Sequence, residues 1–145
     1  MGVNPRLMKD TFKFSEIRIQ YRGSILLPPT IVKTGTKGSN TGWCISMSNC
    51  SADGKHVYFG IWEDLSDKIR TDLLRGYVGF KETFEARPQS KILEVAVDTG
   101  EASLVFEEKY WIGHVNTSPT QRNLLTFCHE GPWNLVDQRV WGLDV

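Results

Sequence analysis

Cysteine is scarce in this sequence of 145 residues, which contains three. Cys44, Cys50 and Cys128 are odd in number and show no Cys-x-x-Cys spacing, so they predict neither a disulfide framework nor a structural zinc site. Long apolar runs are absent as well. None approaches the roughly 20 residues needed to cross a bilayer, and the amino terminus lacks the apolar core of a secretory signal. We therefore expect a soluble, cytoplasmic protein with no membrane partner.

Net charge is also absent, because 17 basic residues balance 17 acidic ones. Without an excess of positive charge there is no overall field to attract nucleic acid, so a nucleic-acid partner is disfavoured. The sequence is 40% hydrophobic, which is enough apolar material for one ordinary core. We predict a single domain covering residues 1–145.

The sequence contains repeated strand and turn patterns. Asp53-Gly54 lies in the turn segment 51–55 between two apolar segments, and residues 98–101, which contain Thr99-Gly100, separate two more. Such turns are typical of β-hairpins, because glycine accepts positive φ angles without a Cβ clash. A third apolar unit follows at 110–115 and 124–127, joined by a turn at 118–120. Residues 16–27 predict one or two further short strands, and 34–40 a loop.

Residues 63–89 have a different period. An apolar side chain recurs there every three or four positions, at Leu65, Ile69, Leu73, Leu74, Tyr77, Phe80 and Phe84. This spacing predicts a helical insertion that ends before Pro88, with its aromatic residues in the core. The fold class predicted is all-β: a partial β-propeller of about three blades, each a four-stranded antiparallel sheet of roughly 40–50 residues, with one helical insertion.

The carboxyl-terminal segment 127–145 carries the candidate binding residues. His129, Glu130 and Trp133 fall in one loop, and Arg139 follows shortly after. A planar guanidinium binds a carboxylate through two parallel hydrogen bonds and stays charged, while an indole stacks on a sugar face. This set predicts a site for an anionic sugar. Spacing alone leaves alternatives open: a surface Arg139 paired with Asp137, a structural histidine, or a buried indole.

The other two histidines, His56 and His114, lie outside this segment. His114 follows Trp-Ile-Gly at the start of a predicted inner strand, where it could line an axial pocket. Glu130 is a candidate for orienting His129. His56 follows the first Asp-Gly turn, and we expect it to be exposed without a role in the site. None of the histidines has metal-ligand spacing, so no metal ligand is predicted within this chain.

Residues 43–145 resemble a continuous stretch of the oligogalacturonate lyase family. The resemblance is carried by Ser-Ala-Asp-Gly-Lys at 51–55, Val-Asp-Thr-Gly-Glu at 97–101, Trp-Ile-Gly-His at 111–114 and, most specifically, Phe-Cys-His-Glu-Gly-Pro at 127–132. It implies a seven-bladed propeller that cleaves short oligogalacturonides by β-elimination in pectin degradation, with manganese as cofactor. It also implies that Arg139 is catalytic and contacts the substrate. From their positions and residue types, His129, His114, Glu130 and Trp133 are the candidate substrate-binding residues.

The resemblance also predicts what this chain lacks. In the family, the histidine base and the histidines and glutamine that hold manganese lie downstream of the Asp-Gln-Arg segment, so we expect an incomplete copy that holds no metal alone. Exposed blade edges then predict self-association. The alternative is a noncatalytic propeller-type module that binds an acidic sugar or a protein partner.

Overall fold

The computed structural model describes residues 42–145, together with three short strands before them. The predicted loop at 34–40 lies outside the described residues. In chain order the elements are β1 (Thr11–Phe12), β2 (Arg18–Gln20), β3 (Ser24–Leu26), β4 (Trp43–Cys50), β5 (His56–Glu63), α1 (Phe80–Ala86), β6 (Gln89–Ala96), β7 (Ala102–Lys109), β8 (Ile112–Thr117), β9 (Leu124–His129) and β10 (Val140–Asp144). Strands dominate, as predicted.

The strands form antiparallel sheets that follow the chain. One five-stranded sheet has the order β1-β7-β6-β5-β4, and a three-stranded sheet has the order β10-β9-β8. The strands β2 and β3 pair as a separate hairpin. Because β4 to β7 and β8 to β10 are consecutive meanders, each has the connectivity of a propeller blade.

Both predicted Asp-Gly and Thr-Gly turns form. Gly54 and Gly100 each have a φ of 69°, the left-handed conformation that glycine adopts most readily. In the first turn the Asp53 carboxylate accepts hydrogen bonds from the Ser51 hydroxyl and the Lys55 amide. Local turn chemistry therefore fixes the β4–β5 and β6–β7 hairpins.

A shared apolar core joins the two larger sheets. Tyr58 and Ile92 of the first sheet pack in one cluster with Ile112, Val115 and Leu125 of the second. Polar contacts reinforce this interface: the Asn49 side chain donates to the Val115 carbonyl, and the buried Ser90 hydroxyl accepts from the Ile112 amide. The inner strand β8 thus packs against β4 and β5, and this fixes the relative placement of the two sheets.

The insertion is less helical than predicted. Within residues 42–145 its helix is confined to Phe80–Ala86, while 64–79 forms turns and one isolated bridge between Asp72 and Val78. Gly76, Tyr77 and Gly79 all have positive φ values, which an α-helix does not accommodate. The predicted helix over the first part of 63–89 is therefore wrong, because the apolar spacing there is not matched by helical backbone.

The apolar residues of the insertion also differ in burial. Phe84 is buried and packs with Tyr110 and Trp111, as expected for a core residue. Leu74 and Tyr77 are instead exposed.

In the described part of the chain, no helix has the length and apolar character to cross a membrane.

Candidate functional site

An open cavity of about 1040 Å³ lies where the two inner strands meet the insertion. Ser46 and Met47 of β4 line one side, and Gly113 and His114 of β8 line another. The rest of the wall comes from the insertion and from the loop 130–139, which contributes Glu130, Trp133 and Arg139. Four of the five residues predicted for the site therefore border one cavity.

A backbone hydrogen bond joins the two ends of the loop 130–139. The His129 amide donates to the Arg139 carbonyl at 3.0 Å, so the loop leaves β9 and returns to β10 at one point. Gly131 has a φ of 145°, and a Cβ atom at this position would lie 2.3 Å from the Phe84 ring. Only glycine permits this close approach of the loop to α1.

Arg139 turns its guanidinium back over its own loop. Its Nη2 donates to the Gly131 carbonyl at 2.6 Å, and its Nη1 lies 3.5 Å from Glu130 Oε2. The guanidinium carbon lies 4.1 Å from the centre of the Trp133 ring, which is 83% exposed. The Arg139 Nε is buried without a hydrogen-bond partner. The side chain is thus held at the cavity wall with part of its donor capacity unused.

Glu130 links Arg139 to His114. Its Oε1 lies 3.2 Å from His114 Nε2 but has no hydrogen-bond partner, because this close approach lacks hydrogen-bond geometry. Gly113 makes room for the carboxylate, since a Cβ there would lie 2.4 Å from Glu130 Oε1. His114 has a φ of 48° beside a register shift in β8. This bulge leaves the imidazole half exposed at the cavity.

His129 lies in a separate, buried cluster. Its side chain is 5% exposed, with Nε2 2.6 Å from Glu108 Oε1 and Nδ1 3.0 Å from Asp137 Oδ1. The Tyr110 ring stacks on the imidazole with centroids 3.7 Å apart. Both ring nitrogens are therefore engaged inside the protein rather than at the cavity, which favours the structural alternative for this residue.

The two carboxylates favour the charged form of His129. Burial alone would lower the pKa of His129, but the hydrogen bonds to Glu108 and Asp137 outweigh it and raise that pKa above its usual value. For Asp137, burial alone would raise the pKa, yet the hydrogen bond from His129 lowers it. A carboxylate at hydrogen-bond distance from each ring nitrogen is the arrangement of an imidazolium that donates to both.

Comparison with known proteins identifies the family. The family model of oligogalacturonate lyase matches residues 41–144. The chain belongs to the oligogalacturonate lyase family. It is 39% identical over 101 residues to an oligogalacturonate lyase of Dickeya dadantii, and 40% identical over 101 residues to an oligogalacturonide lyase of Pectobacterium atrosepticum. Each match covers 69% of this chain but 24% of the relative, so the chain spans about a quarter of these relatives' length.

Solved oligogalacturonate lyase structures have the same fold. One, in complex with manganese, matches 77% of this chain with a TM-score of 0.61 and 25% identity, over 28% of its own length. Another, from Vibrio parahaemolyticus, has a TM-score of 0.62 at 22% identity, with the same shares covered. The predicted all-β architecture of a partial β-propeller is confirmed, with the predicted helical insertion reduced to the short helix Phe80–Ala86.

Manganese belongs to the first of these oligogalacturonate lyase structures. Among residues 42–145 of this family member, no three His, Cys, Asp or Glu side chains come together as a metal-holding group. The residues that the structure describes therefore do not fit the metal on their own. Ligands downstream of this segment remain a prediction.

Several contacts differ from those expected for this oligogalacturonate lyase segment. Glu130 contacts Arg139 and His114 rather than orienting His129, and Asp137 pairs with His129 rather than Arg139. His56 was expected to be exposed, but its side chain is 18% exposed and lies 3.8 Å from Glu94. Pairing across the sheet explains this, because His56 is the first residue of β5 and not part of the turn.

The contacts of His129 with Glu108 and Asp137 were not predicted. Glu108 comes from β7 of the other sheet, 21 residues before His129, and no local pattern marks that contact. Asp137, eight residues after His129, was named only as a partner of Arg139, although its place in the same loop is a signal that could have linked it to His129.

The three cysteines of this family member are free. Burial, together with nearby Asp64, raises the pKa of Cys44 to about 11. Burial also raises the pKa of Cys128, with Glu130 contributing. Cys50 is exposed at the end of β4. These thiols differ in surroundings, and Cys44 and Cys128 are kept protonated at neutral pH.

Proposed function

We propose that this chain forms the uronate-binding part of an oligogalacturonate lyase that cleaves short oligogalacturonides by β-elimination in pectin degradation. One observation carries the proposal: Arg139, Glu130, His114 and Trp133 converge on one cavity between the inner strands of neighbouring blades. A guanidinium, an imidazole and an exposed indole match the carboxylate and the ring face of a galacturonate unit.

The proposed reaction needs a positive group at the sugar carboxylate. The carbon next to the carboxylate loses its proton, the electron pair forms a double bond to the β-carbon, and the β-carbon releases the glycosidic oxygen with its bonding electrons. Negative charge develops on the carboxylate as the proton leaves. Arg139 would stabilise that charge, because preorganised donors act most strongly where charge accumulates. The base that removes the proton is not assigned to a described residue.

Glu130 and Trp133 would define the pose of the sugar. Glu130 lies against Nη1 of the guanidinium and the Gly131 carbonyl accepts from Nη2, which leaves the second hydrogen of each terminal nitrogen to meet a ligand carboxylate. Its Oε1 is buried 3.2 Å from His114 Nε2, so one carboxylate holds both the guanidinium and the imidazole on the cavity wall. Trp133 is 83% exposed beside Arg139, so the indole is available for stacking.

The experiment separates binding from cleavage. Digalacturonate and its neutral counterpart galactobiose are titrated into the chain, with tryptophan fluorescence and calorimetry as readouts. Arg139→Lys keeps the charge but loses the planar fork, so we expect an affinity loss of about 2 kcal/mol, roughly thirtyfold in Kd. Arg122→Lys is the matched control, because Arg122 is exposed and pairs with Asp53 away from the cavity.

Failure of digalacturonate to bind better than galactobiose would contradict the proposal. Cleavage is followed separately, with manganese added, by the ultraviolet absorbance of an unsaturated uronate. We expect none from this chain alone. Selective binding without cleavage would favour the noncatalytic sugar-binding alternative for this polypeptide.

We also infer self-association and a cytoplasmic setting. The outer strand β10 exposes Val140 and Trp141, and exposed apolar strands tend to pair with another chain. Free thiols at all three cysteines are compatible with a reducing compartment. Analytical ultracentrifugation tests the first inference: a monomer across the accessible concentration range contradicts it.

A further inference from the structure

The loop that carries Arg139 contacts both the backbone and the side chain of His129. The His129 amide donates to the Arg139 carbonyl, and the imidazole Nδ1 contacts Asp137, two residues earlier in the loop. The other ring nitrogen contacts Glu108 on β7, which belongs to the neighbouring sheet. One side chain therefore connects the loop 130–139 to a different blade.

We propose that His129 is a positioning residue for Arg139: by donating to Asp137 and Glu108 at once, it fixes the loop 130–139 on the neighbouring blade and sets where the guanidinium lies in the cavity. The inference rests on the proposed uronate-binding function. His129 itself does not line the cavity, so its effect on a ligand is transmitted through Arg139.

Only the imidazolium form can make both contacts. A neutral imidazole has one N–H donor and one lone pair, so one carboxylate would face a lone pair at hydrogen-bond distance. The Trp141 indole N–H lies 3.1 Å from Nδ1 and 2.8 Å from the Gln138 carbonyl. With Nδ1 donating to Asp137, the indole donates to Gln138, and this contact also fixes the loop.

The groups that face His129 agree with a cation. Two carboxylates approach it, one from β7 and one from the loop, while aromatic rings cover the remaining surface; the facing groups are Glu108, Asp137, Tyr110, Phe127 and Trp141. Arg87 stacks on Tyr110, with its guanidinium carbon 3.9 Å from the ring centre. The negative charges of Glu108 and Asp137 together offset the positive charges of the His129 imidazolium and the Arg87 guanidinium.

The sign of the pH dependence follows from the raised pKa of His129. The His129 contacts that order the loop are fully present below pH 6.5, the ordinary pKa of an unfolded histidine. They are lost as pH rises through the higher pKa of His129 in the folded protein. At acidic pH the Asp137 contact is lost as pH falls through its lowered folded pKa. Arg139 is therefore best ordered between these two limits.

The first experiment needs no sugar. We measure ¹⁵N relaxation of the Arg139 Nε–H group in the chain and in His129→Gln, which cannot carry a charge. We expect an ordered group in the wild type and a mobile one in the variant, and the wild-type group should also become mobile at alkaline pH. Equal order in both proteins overturns the proposal, whether or not the chain binds a sugar.

The second experiment is a double-mutant cycle with digalacturonate. His129→Gln should weaken binding about tenfold, and adding it to Arg139→Lys should produce little further loss, because both changes act through the same guanidinium. Additive losses overturn the proposal. If Arg139 loses order in His129→Gln but the wild type binds no digalacturonate, positioning stands and the proposed function fails.

Asp137→Asn provides a variant that is expected to fold, because this side chain is 57% exposed. The amide oxygen still accepts from Nδ1, but the lost charge makes protonation of His129 less favourable. The transition in Arg139 order should therefore move to lower pH. Runs in a His114→Gln background remove the second imidazole beside the cavity, and an unmoved transition overturns the proposal.

Discussion

Two polar clusters flank the β9–β10 turn, and they differ in how completely their groups are paired. In the buried cluster both nitrogens of His129 contact carboxylates. In the cavity cluster the Arg139 Nε and Glu130 Oε1 have no hydrogen-bond partner. Buried polar groups are nearly always satisfied in stable proteins, so the first cluster resembles a structural network, while the second is incompletely paired.

The two clusters begin at neighbouring residues. His129 and Glu130 are consecutive, and successive side chains leave a strand on opposite faces. One residue therefore faces the interface between the blades and the next faces the cavity. A small section of chain in this way combines a buried support with an open cavity wall, and mutations that act on one side only can separate the contributions of the two clusters.

The largest effect is expected from Gly131→Ala, which disturbs both clusters. The new Cβ would overlap the Phe84 ring at a φ that disfavours alanine, so we expect a loss of about 3 kcal/mol in unfolding free energy. Urea denaturation measures it. Gly142→Ala is the matched control, because a Cβ there meets nothing within 4 Å. Equal midpoints for the two variants would contradict the packing of the loop on α1.

A smaller effect is expected from Glu108→Gln, which acts on the buried cluster alone. The variant replaces a charge-assisted hydrogen bond to His129 with a neutral one, so we expect about 1.5 kcal/mol of destabilisation. Glu107→Gln is the control in the next position, where the carboxylate forms a surface ion pair with Lys91; about 0.5 kcal/mol or less is expected. Thermal unfolding at neutral pH compares them, and similar losses would show that His129 is not a charged partner.

The smallest effect on stability is expected from Gly113→Ala, which acts on the cavity cluster alone. The methyl group would displace the Glu130 carboxylate, and because that side chain can move, we expect about 1 kcal/mol of destabilisation. Digalacturonate affinity should fall severalfold, since Glu130 holds Arg139. Calorimetry on this variant and on Gly142→Ala checks it. Unchanged affinity would remove Glu130 from the proposed site.

The elements governed by local chemistry were predictable from the sequence. The Asp53-Gly54 and Thr99-Gly100 turns need only glycine at a positive φ, and both hairpins form where expected. The insertion was mispredicted because Gly76 and Gly79 allow a folded loop whose apolar side chains repeat at helical spacing without a helix. Periodicity records which residues are apolar but does not distinguish Leu74, which is exposed, from Phe84, which is buried.

The site was predictable in its members more than in its contacts. Arg139, Glu130, Trp133 and His114 all border the cavity, and their substrate contacts remain predictions. The separate placement of His129 was not predictable, because it depends on Glu108, which reaches it through the packing of one sheet on another. Side-chain partners of that kind are set by tertiary structure and leave no spacing in the sequence.

The unequal surroundings of the three cysteines have a practical consequence. Cys44 and Cys128 are shielded by burial, and as thiols they react slowly with electrophiles. Cys50 is exposed, so a maleimide dye added briefly at neutral pH attaches there preferentially. A single fluorophore at the end of β4, with no engineered cysteine, would then report movement of the sheet that contains this strand.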